Sequence, residues 1–359
     1  MRVRSPARDP RPVAGAPAVA VFGAGAIGCW VGGRLAAGGA RVTLIGRPRV
    51  LDEVAAHGLT VSDLEGGTLR VRGVRTNGGG AGGTHVRVTT DPAAAAGAEL
   101  VLVTVKSAQT AGAGAELARV LSDGALVASL QNGVRNTDAL RAALPGRPVL
   151  AGMVPWNVVR RGPGAYHRAS SGTLMVEHHP RGGALYRALA AAGLAFETRT
   201  DMPAVLWAKL VMNLNNAINA LSGRPLAAEL ADRAFRRCLA ACQREALSLL
   251  ARARIPVARL TPVPPRWMPR LLELPDPVFR VAARRTIAID PHARSSMADD
   301  LAADRPTEID YLQGEVVALA QRLGRTAPIN AALVRLVQAA EAGGPRSFTG
   351  DELAVALGV

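Results

Sequence analysis

Of the 43 Lys and Arg residues in this 359-residue chain, only two are lysines, Lys106 and Lys209. Both stand where an arginine-rich sequence has not used its default cation. A guanidinium stays charged at physiological pH, whereas a buried ammonium can release its proton and fits a narrower site. Lysines kept in this way are candidates for proton transfer or for stabilising an oxyanion. Lys209 also heads a pattern: Lys209, Asn213 and Asn216 are spaced i, i+4, i+7, so a helix through residues 207–219 carries a cation and two amides on one face. That set suits a carbonyl or carboxylate ligand. Four asparagines within residues 213–219 run against helix propensity, which favours a site. The plainer alternative is that these amides satisfy buried helix ends.

A second constellation is Gly23, Ala24, Gly25, Ala26, Ile27 and Gly28, a Gly-x-Gly-x-x-Gly loop. It follows an apolar run at 18–22, opens a helix-spaced segment at 29–38 and precedes another apolar run at 41–45. In that context the glycines allow a tight turn, approach of a pyrophosphate and close helix–strand packing. The helix N-terminus then offers unpaired N–H groups to phosphate. Sites for NAD place an acid at the end of the second strand to bind the ribose 2′-hydroxyl. Here Gly46-Arg47-Pro48-Arg49 stands there, with no carboxylate before Asp52. Arg47 or Arg49 suits a 2′-phosphate, so NADP(H) is the favoured cofactor. An ordinary surface arginine is the competing explanation.

The elements that must position these residues follow from periodicity. Apolar runs at 100–105 and 125–130 predict buried strands, with Lys106 just past the first and Gln131-Asn132-Gly133 past the second. Shorter strands are expected within 59–90 and 149–177, the former interrupted by a flexible glycine loop at 78–83. Strands alternating with helical segments predict a parallel sheet. From residue 202 to about 342 the spacing is helical. Ser295 or Ser296 reads as a helix N-cap, and Pro306 and Glu308 fit the first turn of the next helix. The expected fold class is α/β: an N-terminal Rossmann-type, NADP-binding parallel-sheet domain (18–200), followed by an all-helical substrate and catalytic domain (201–342). Residues 1–17 are expected to be a disordered tail and 343–359 a C-terminal tail.

Composition narrows the function classes. The chain is 49% hydrophobic, which fits a globular protein. Its net charge of +15 is scattered, apart from clusters at 2–11 and 266–285, and only 3% of residues are aromatic. Stacking platforms for nucleic acid are therefore not expected, and a phosphorylated cofactor or anionic metabolite is the better partner. No apolar run of 18 residues predicts a membrane span. Cys29, Cys238 and Cys242 form neither a disulfide framework nor a metal cluster, so no metal is expected and a reducing cytoplasm fits.

Taken together, Gly23–Gly28, Val103-Thr104-Val105-Lys106, Gln131-Asn132-Gly133, Trp207 to Asn213, Ser295-Ser296-Met297 and Thr307-Glu308-Ile309-Asp310-Tyr311 resemble the ketopantoate reductase (2-dehydropantoate 2-reductase) family. The resemblance spans residues 18–340. It implies a Rossmann domain, a helical domain and an active site in the cleft, performing NADPH-dependent reduction of a 2-keto acid in pantothenate biosynthesis. It makes Lys209 the general acid and puts Glu308 near the substrate hydroxyl. Asn213 and Ser296 hold the substrate, Lys106 and Asn132 lie at the cofactor and cleft, and Arg47 faces the 2′-phosphate. The family often has a second Asn four residues after the first. Here that position is Ala217, with Asn216 as the nearest replacement and Asn219 as the weaker one. Alternatives are reduction of another 2-keto acid, a 3-hydroxyacid oxidation, or a non-catalytic NADP(H)-binding regulator. The helical domain could also host a homodimer interface.

Overall fold

The computed structural model describes residues 16–75, 85–283 and 293–359. The expected loop at 78–83, the basic cluster at 2–11, Arg284 and Arg285, and all but the last two residues of the expected N-terminal tail lie outside those residues. The chain divides into two compact units, residues 1–131 with 135–200 and residues 132–134 with 201–359.

The first unit is built on one sheet. Its strands are β1 (Ala18–Phe22), β2 (Arg41–Ile45), β3 (Leu59–Ser62), β4 (Thr68–Arg75), β5 (His85–Thr89), β6 (Leu100–Val103), β7 (Leu126–Ser129), β8 (Val149–Met153), β9 (Val158–Gly162), β10 (Ala165–Arg168), β11 (Leu174–Glu177) and β12 (Phe196–Arg199). Their order is β12-β11-β8-β7-β6-β1-β2-β5-β4-β3-β10-β9. The helices are α1 (Ala26–Ala37), α2 (Pro48–His57), α3 (Thr110–Val120), α4 (Asn136–Ala143) and α5 (Gly183–Ala191). As the sequence predicts, the centre is parallel: β1 pairs in parallel with β2 and with β6, Val19 lying opposite Val42 and Leu100. Of these, β1 and β6 are apolar throughout because both faces are covered, while β2 buries Val42, Leu44 and Ile45 and leaves Arg41 exposed. Val19, Val21, Leu100 and Leu102 pack into one core, while Ala20, Phe22, Val101 and Val103 pack into another.

The margins depart from the wholly parallel expectation. The β3–β4 and β9–β10 pairs are antiparallel, as is β8–β11. The first two are hairpins whose connections are too short for a parallel crossover. In the β9–β10 turn Gly162 and Gly164 take φ of 155° and 63°, which side chains other than glycine rarely adopt.

The second unit is helical: α6 (Met202–Asn213), α7 (Asn215–Ser222), α8 (Leu226–Ala231), α9 (Arg233–Arg252), α10 (Met268–Leu272), α11 (Asp276–Ala283), α12 (Ser296–Ala302), α13 (Gln313–Arg322), α14 (Pro328–Glu341) and α15 (Gly350–Leu357). Helix α9 is its axis, burying Phe235, Cys238, Leu239, Cys242, Ala246 and Leu249 at helical spacing. Arg236 lies fully buried on α9 and donates to four carbonyls, of Leu230, Ala231, Leu272 and Leu274, and to Asp276 Oδ1 at 2.7 Å. The expected C-terminal tail is corrected here. Residues 350–357 form α15, started by a Thr349–Glu352 capping box, and Leu353 and Leu357 are buried in the unit's core.

Candidate active site

In the first unit the glycine loop joins β1 to α1 where the strand order reverses, between β1 and β6. Gly23 has φ of 117°, and a Cβ there would meet the Val105 nitrogen at 2.6 Å. A Cβ on Gly28 would meet the Gly23 carbonyl oxygen at 2.2 Å. Gly25 differs: it is exposed, and a Cβ there would meet nothing within 4 Å. So two glycines close the turn, and the third leaves bare backbone facing open space. Helix α1 starts at that point with no side-chain cap and no acid in its first turn. Its leading N–H groups, at Ala26 and Ile27, are unpaired donors of the kind that bind anions. The cradle fits the pyrophosphate of a dinucleotide.

Arg47 lies beside this loop. The Ile45 carbonyl accepts from the N–H groups of Gly23 and Ala24, and a Cβ on Gly46 would meet the Ala24 Cβ at 2.6 Å. Arg47 follows as the exposed N-cap residue of α2, without an ion pair among the described residues. Arg49, the other candidate, pairs with Glu53 at 3.7 Å. Of the two, Arg47 has its guanidinium open to an incoming phosphate.

Lys106 sits half-buried beyond β6, and the turn on both sides of it is pinned. Gln131 Nε2 donates to the Val105 carbonyl at 3.1 Å and to Thr110 Oγ1 at 2.7 Å. Thr110 Oγ1 donates to Asn136 Oδ1 at 2.8 Å, and Asn136 Nδ2 donates to Ser107 Oγ at 3.1 Å. The residues before and after Lys106 are thus held by one buried polar chain. Before that turn, Thr104 Oγ1 donates to the Gly23 carbonyl at 2.6 Å, tying it to the glycine loop.

In the second unit the expected single helix over 207–219 is two helices, parted at Leu214. The local sequence holds no proline or glycine to cause this. Buried glutamines from elsewhere take the carbonyls instead: Gln243 Nε2 donates to Val211 O at 3.2 Å, and Gln313 Nε2 to Leu214 O at 2.8 Å. Lys209 and Asn213 remain one turn apart on α6, while Asn216 belongs to α7. Asn213 Nδ2 donates to Asn132 Oδ1, and Asn132 Nδ2 to Glu308 Oε2, each at 3.4 Å. Three residues distant in sequence therefore form one chain. Glu308 is also corrected: it lies half-buried in a loop just before a 3-10 turn at Ile309–Tyr311, not in the first turn of an α-helix, and Pro306 is in no helix.

Lys209 has no ion-pair partner among the described residues, and burial alone lowers its pKa from 10.5 to about 8. A lysine so placed holds a proton at neutral pH but gives it up readily, the property required of a general acid. Glu308 accepts from Asn132, which places it near the stripe.

The remaining substrate candidates are distributed around α7 and α12. Ser295 is the N-cap of α12, its Oγ accepting from Ala298 N at 3.1 Å. Ser296 is the exposed first residue of that helix. Asn216 is half-buried, and its carbonyl accepts from Ser295 Oγ at 3.2 Å. Ala217 is fully buried in the core, so no amide substitutes there. Asn219 is not available to a ligand: its amide donates to Arg224 O and Glu229 Oε2, and its Oδ1 accepts from Ser295 N. For this one residue the structural explanation of the asparagine run holds. Sequence reading named Gln131 only as part of a motif, without a role, and missed Glu229, Gln243 and Gln313. The available signal was polar residues at buried positions of apolar stripes, as Gln243 is beside Cys242 and Ala246 on α9.

Among the described residues no group of three His, Cys, Asp or Glu is placed to hold a metal, and no helix is long and apolar enough to cross a membrane. A Rossmann-type unit with an open glycine cradle, and a helical unit presenting a depressed lysine among amides, define a nicotinamide-dependent oxidoreductase. The family model described as ketopantoate reductase PanE/ApbA matches residues 19–181, and its C-terminal counterpart matches residues 201–341. The 2-dehydropantoate 2-reductase of Halobacterium salinarum is 30% identical over 333 residues, covering 91% of this chain and 99% of that protein. Among solved structures, the PanE/ApbA family ketopantoate reductase from Ralstonia eutropha JMP134 aligns with a TM-score of 0.75 at 31% identity, over 90% of this chain and 98% of that one. A D-mandelate dehydrogenase solved with NADH and anilino(oxo)acetate shares the fold, with a TM-score of 0.69 at 20% identity over 90% of this chain and 98% of that one. The chain belongs to the ketopantoate reductase family.

Proposed function

We propose that this protein reduces 2-dehydropantoate (ketopantoate) to pantoate with NADPH, the step that leads toward pantothenate. The observation that carries the reading is Lys209, half-buried with no carboxylate partner among the described residues and lowered to about 8, one turn before the Asn213–Asn132–Glu308 chain. When bound, the nicotinamide supplies the hydride for the ketone carbon. Lys209 stabilises the charge developing on the ketone oxygen and donates the proton there. Glu308, steadied by Asn132, accepts a hydrogen bond from the new hydroxyl. Asn213, Asn216 and Ser296 donate to the substrate carboxylate and carbonyl.

On the cofactor side, Ala24, Ala26, Ile27 and the three loop glycines cradle the pyrophosphate. Arg47 pairs with the 2′-phosphate, and Lys106 and Asn132 border the nicotinamide end. The fold is shared with a dehydrogenase solved with NADH, so the preference for NADPH rests on Arg47. Cytoplasmic residence is part of this reading, supported by three buried free thiols.

The buried Ala217, where an amide is usual, favours one second reading: the same chemistry on a different 2-keto acid. The test is NADPH oxidation with ketopantoate beside a panel of 2-keto acids, with Lys209→Ala alongside. Turnover on ketopantoate that the variant loses supports the proposal. Turnover confined to another keto acid moves the protein to the second reading. Tight NADPH binding with no turnover on any of them overturns both.

A further inference from the structure

Glu229 on α8 is fully buried, and the catalytic scheme does not use it. It accepts from Asn219 Nδ2 at 2.7 Å through Oε2, while its Oε1 has no hydrogen-bond partner among the described residues. The Asn215 side chain lies within hydrogen-bonding reach of the same carboxyl, and Asn215 Oδ1 is likewise buried and unpartnered. Each of the two is an acceptor buried without a donor, which is unfavourable, so the site lacks a proton. A protonated Glu229 supplies it. The Asn215 amide can present its oxygen, and Oε1–H then donates to Oδ1 while Oε2 still accepts from Asn219. Among the described residues no cation pairs with Glu229. From α7 it faces only the amides of Asn215 and Asn219. From α9 it faces the Cys238 thiol, itself raised by burial, with the Arg224–Asp232 pair at 3.5 Å near the start of α9.

Asn219 also connects outward. Its Oδ1 accepts the Ser295 N–H at 2.9 Å, and Ser295 Oγ donates to the Asn216 carbonyl at 3.2 Å. One buried chain therefore runs from Glu229 through Asn219 to the N-cap of α12 and the first turn of α7. Ser296 and Asn216 are carried by those two points. We infer that Glu229 is a positioning residue, acting as a neutral acid that holds Ser296 and Asn216 in the register that binds the keto acid. The inference rests on the proposed role of those two residues. Burial also pushes the carboxyl up to about 8, so the acid is protonated at neutral pH.

The test is steady-state kinetics of Glu229→Gln and Glu229→Ala, with NADPH affinity measured separately by fluorescence. A glutamine reproduces the neutral acid: its oxygen accepts from Asn219 and its nitrogen donates to Asn215. E229A is expected to raise KM for the keto acid about tenfold, equivalent to about 1.4 kcal/mol, because Ser296 and Asn216 lose the register that binds it. NADPH affinity stays unchanged, and E229Q restores KM. Lys209 loses its proton above pH 8 in both enzymes, so the readout is their difference: KM rises more steeply with pH in the parent, where Glu229 also ionises, than in E229Q. That comparison stands even where E229A does not fold. An unchanged KM in a folded E229A, a glutamine variant as impaired as the alanine, or the same rise of KM with pH in both enzymes overturns the inference. Ser296→Ala separates the two failures. If S296A raises KM and E229A does not, only the positioning role fails; if S296A leaves KM unchanged, the substrate assignment fails first.

Discussion

Lys209 is lowered to about 8 because the second unit buries it with no carboxylate partner among the described residues. For reduction the lysine must enter each cycle protonated, so kcat is expected to fall above pH 8, and this limb should disappear in Lys209→Met along with about 10²–10⁴ of the rate. The same burial makes the residue a liability to the fold. Below pH 8 the ammonium is charged in both folded and unfolded chains, and the full penalty is present. Between pH 8 and 10.5 the unfolded chain keeps its proton while the folded one has lost it, so stability rises with pH. K209M should therefore melt higher than the parent at pH 7, and the gap should close between pH 8 and 10.5. A melting temperature at or below the parent's at pH 7 counts against a desolvated lysine without an ion-pair partner among the described residues. Arg47 makes a separate prediction. Replacing it with alanine removes charge-assisted bonds of about 1.5–3 kcal/mol, so KM for NADPH should rise about 10- to 100-fold with NADH kinetics nearly unchanged. Equal losses with both cofactors would exclude a 2′-phosphate role.

The break between α6 and α7 marks how far the sequence can be read. The stripe Lys209, Asn213, Asn216 is legible because helical spacing is local, and so is the glycine loop, whose strand, turn and helix are contiguous. The break at Leu214 is not legible, because the groups that take the freed carbonyls come from α9 and α13, 32 and 99 residues away. Glu308 escaped for a related reason. Pro306 is a valid helix start in isolation, yet residues 305–307 run as a loop, with Thr307 N bonded to Glu341 on α14. Long-range polar contacts thus decide where the site residues point, although the residues themselves are named by short-range pattern. Gln313 tests this directly. Gln313→Leu leaves the Leu214 carbonyl buried and unpaired, which should cost about 1–3 kcal/mol in urea unfolding. It should also lower kcat/KM, since Lys209 and Asn216 lie on opposite sides of that carbonyl. Full activity in a folded Q313L would mean that the break does not set the spacing of the stripe.

Across the whole molecule, most of each core could be anticipated from apolar periodicity, but the last helix could not. Residues 343–349 hold two glycines, a proline and two hydroxylated side chains, a composition that reads as a chain end. The helix after them is only eight residues long, too short to declare itself by periodicity. The signal that was available is the Thr349-x-x-Glu352 capping box followed by Leu353 and Leu357 at i, i+4. In the structure Leu353 is fully buried and Leu357 nearly so, both in the core that includes Phe235 and Leu239 of α9. Gly350 lies so close to α9 that a Cβ on it would meet the Ala234 Cβ at 2.6 Å. Burying a leucine stabilises by about 1.5–3 kcal/mol, so these two contribute roughly 3–6 kcal/mol. That is a large share of the about 5–15 kcal/mol that holds a domain folded. A chain ending at Ala342 should consequently be insoluble or melt far below the parent by circular dichroism. Thr349→Ala, which removes only the cap, should cost about 0.5–2 kcal/mol and leave activity intact. A truncated chain with the parent's melting temperature would restore the reading of residues 343–359 as a tail and remove α15 from the core that supports Lys209.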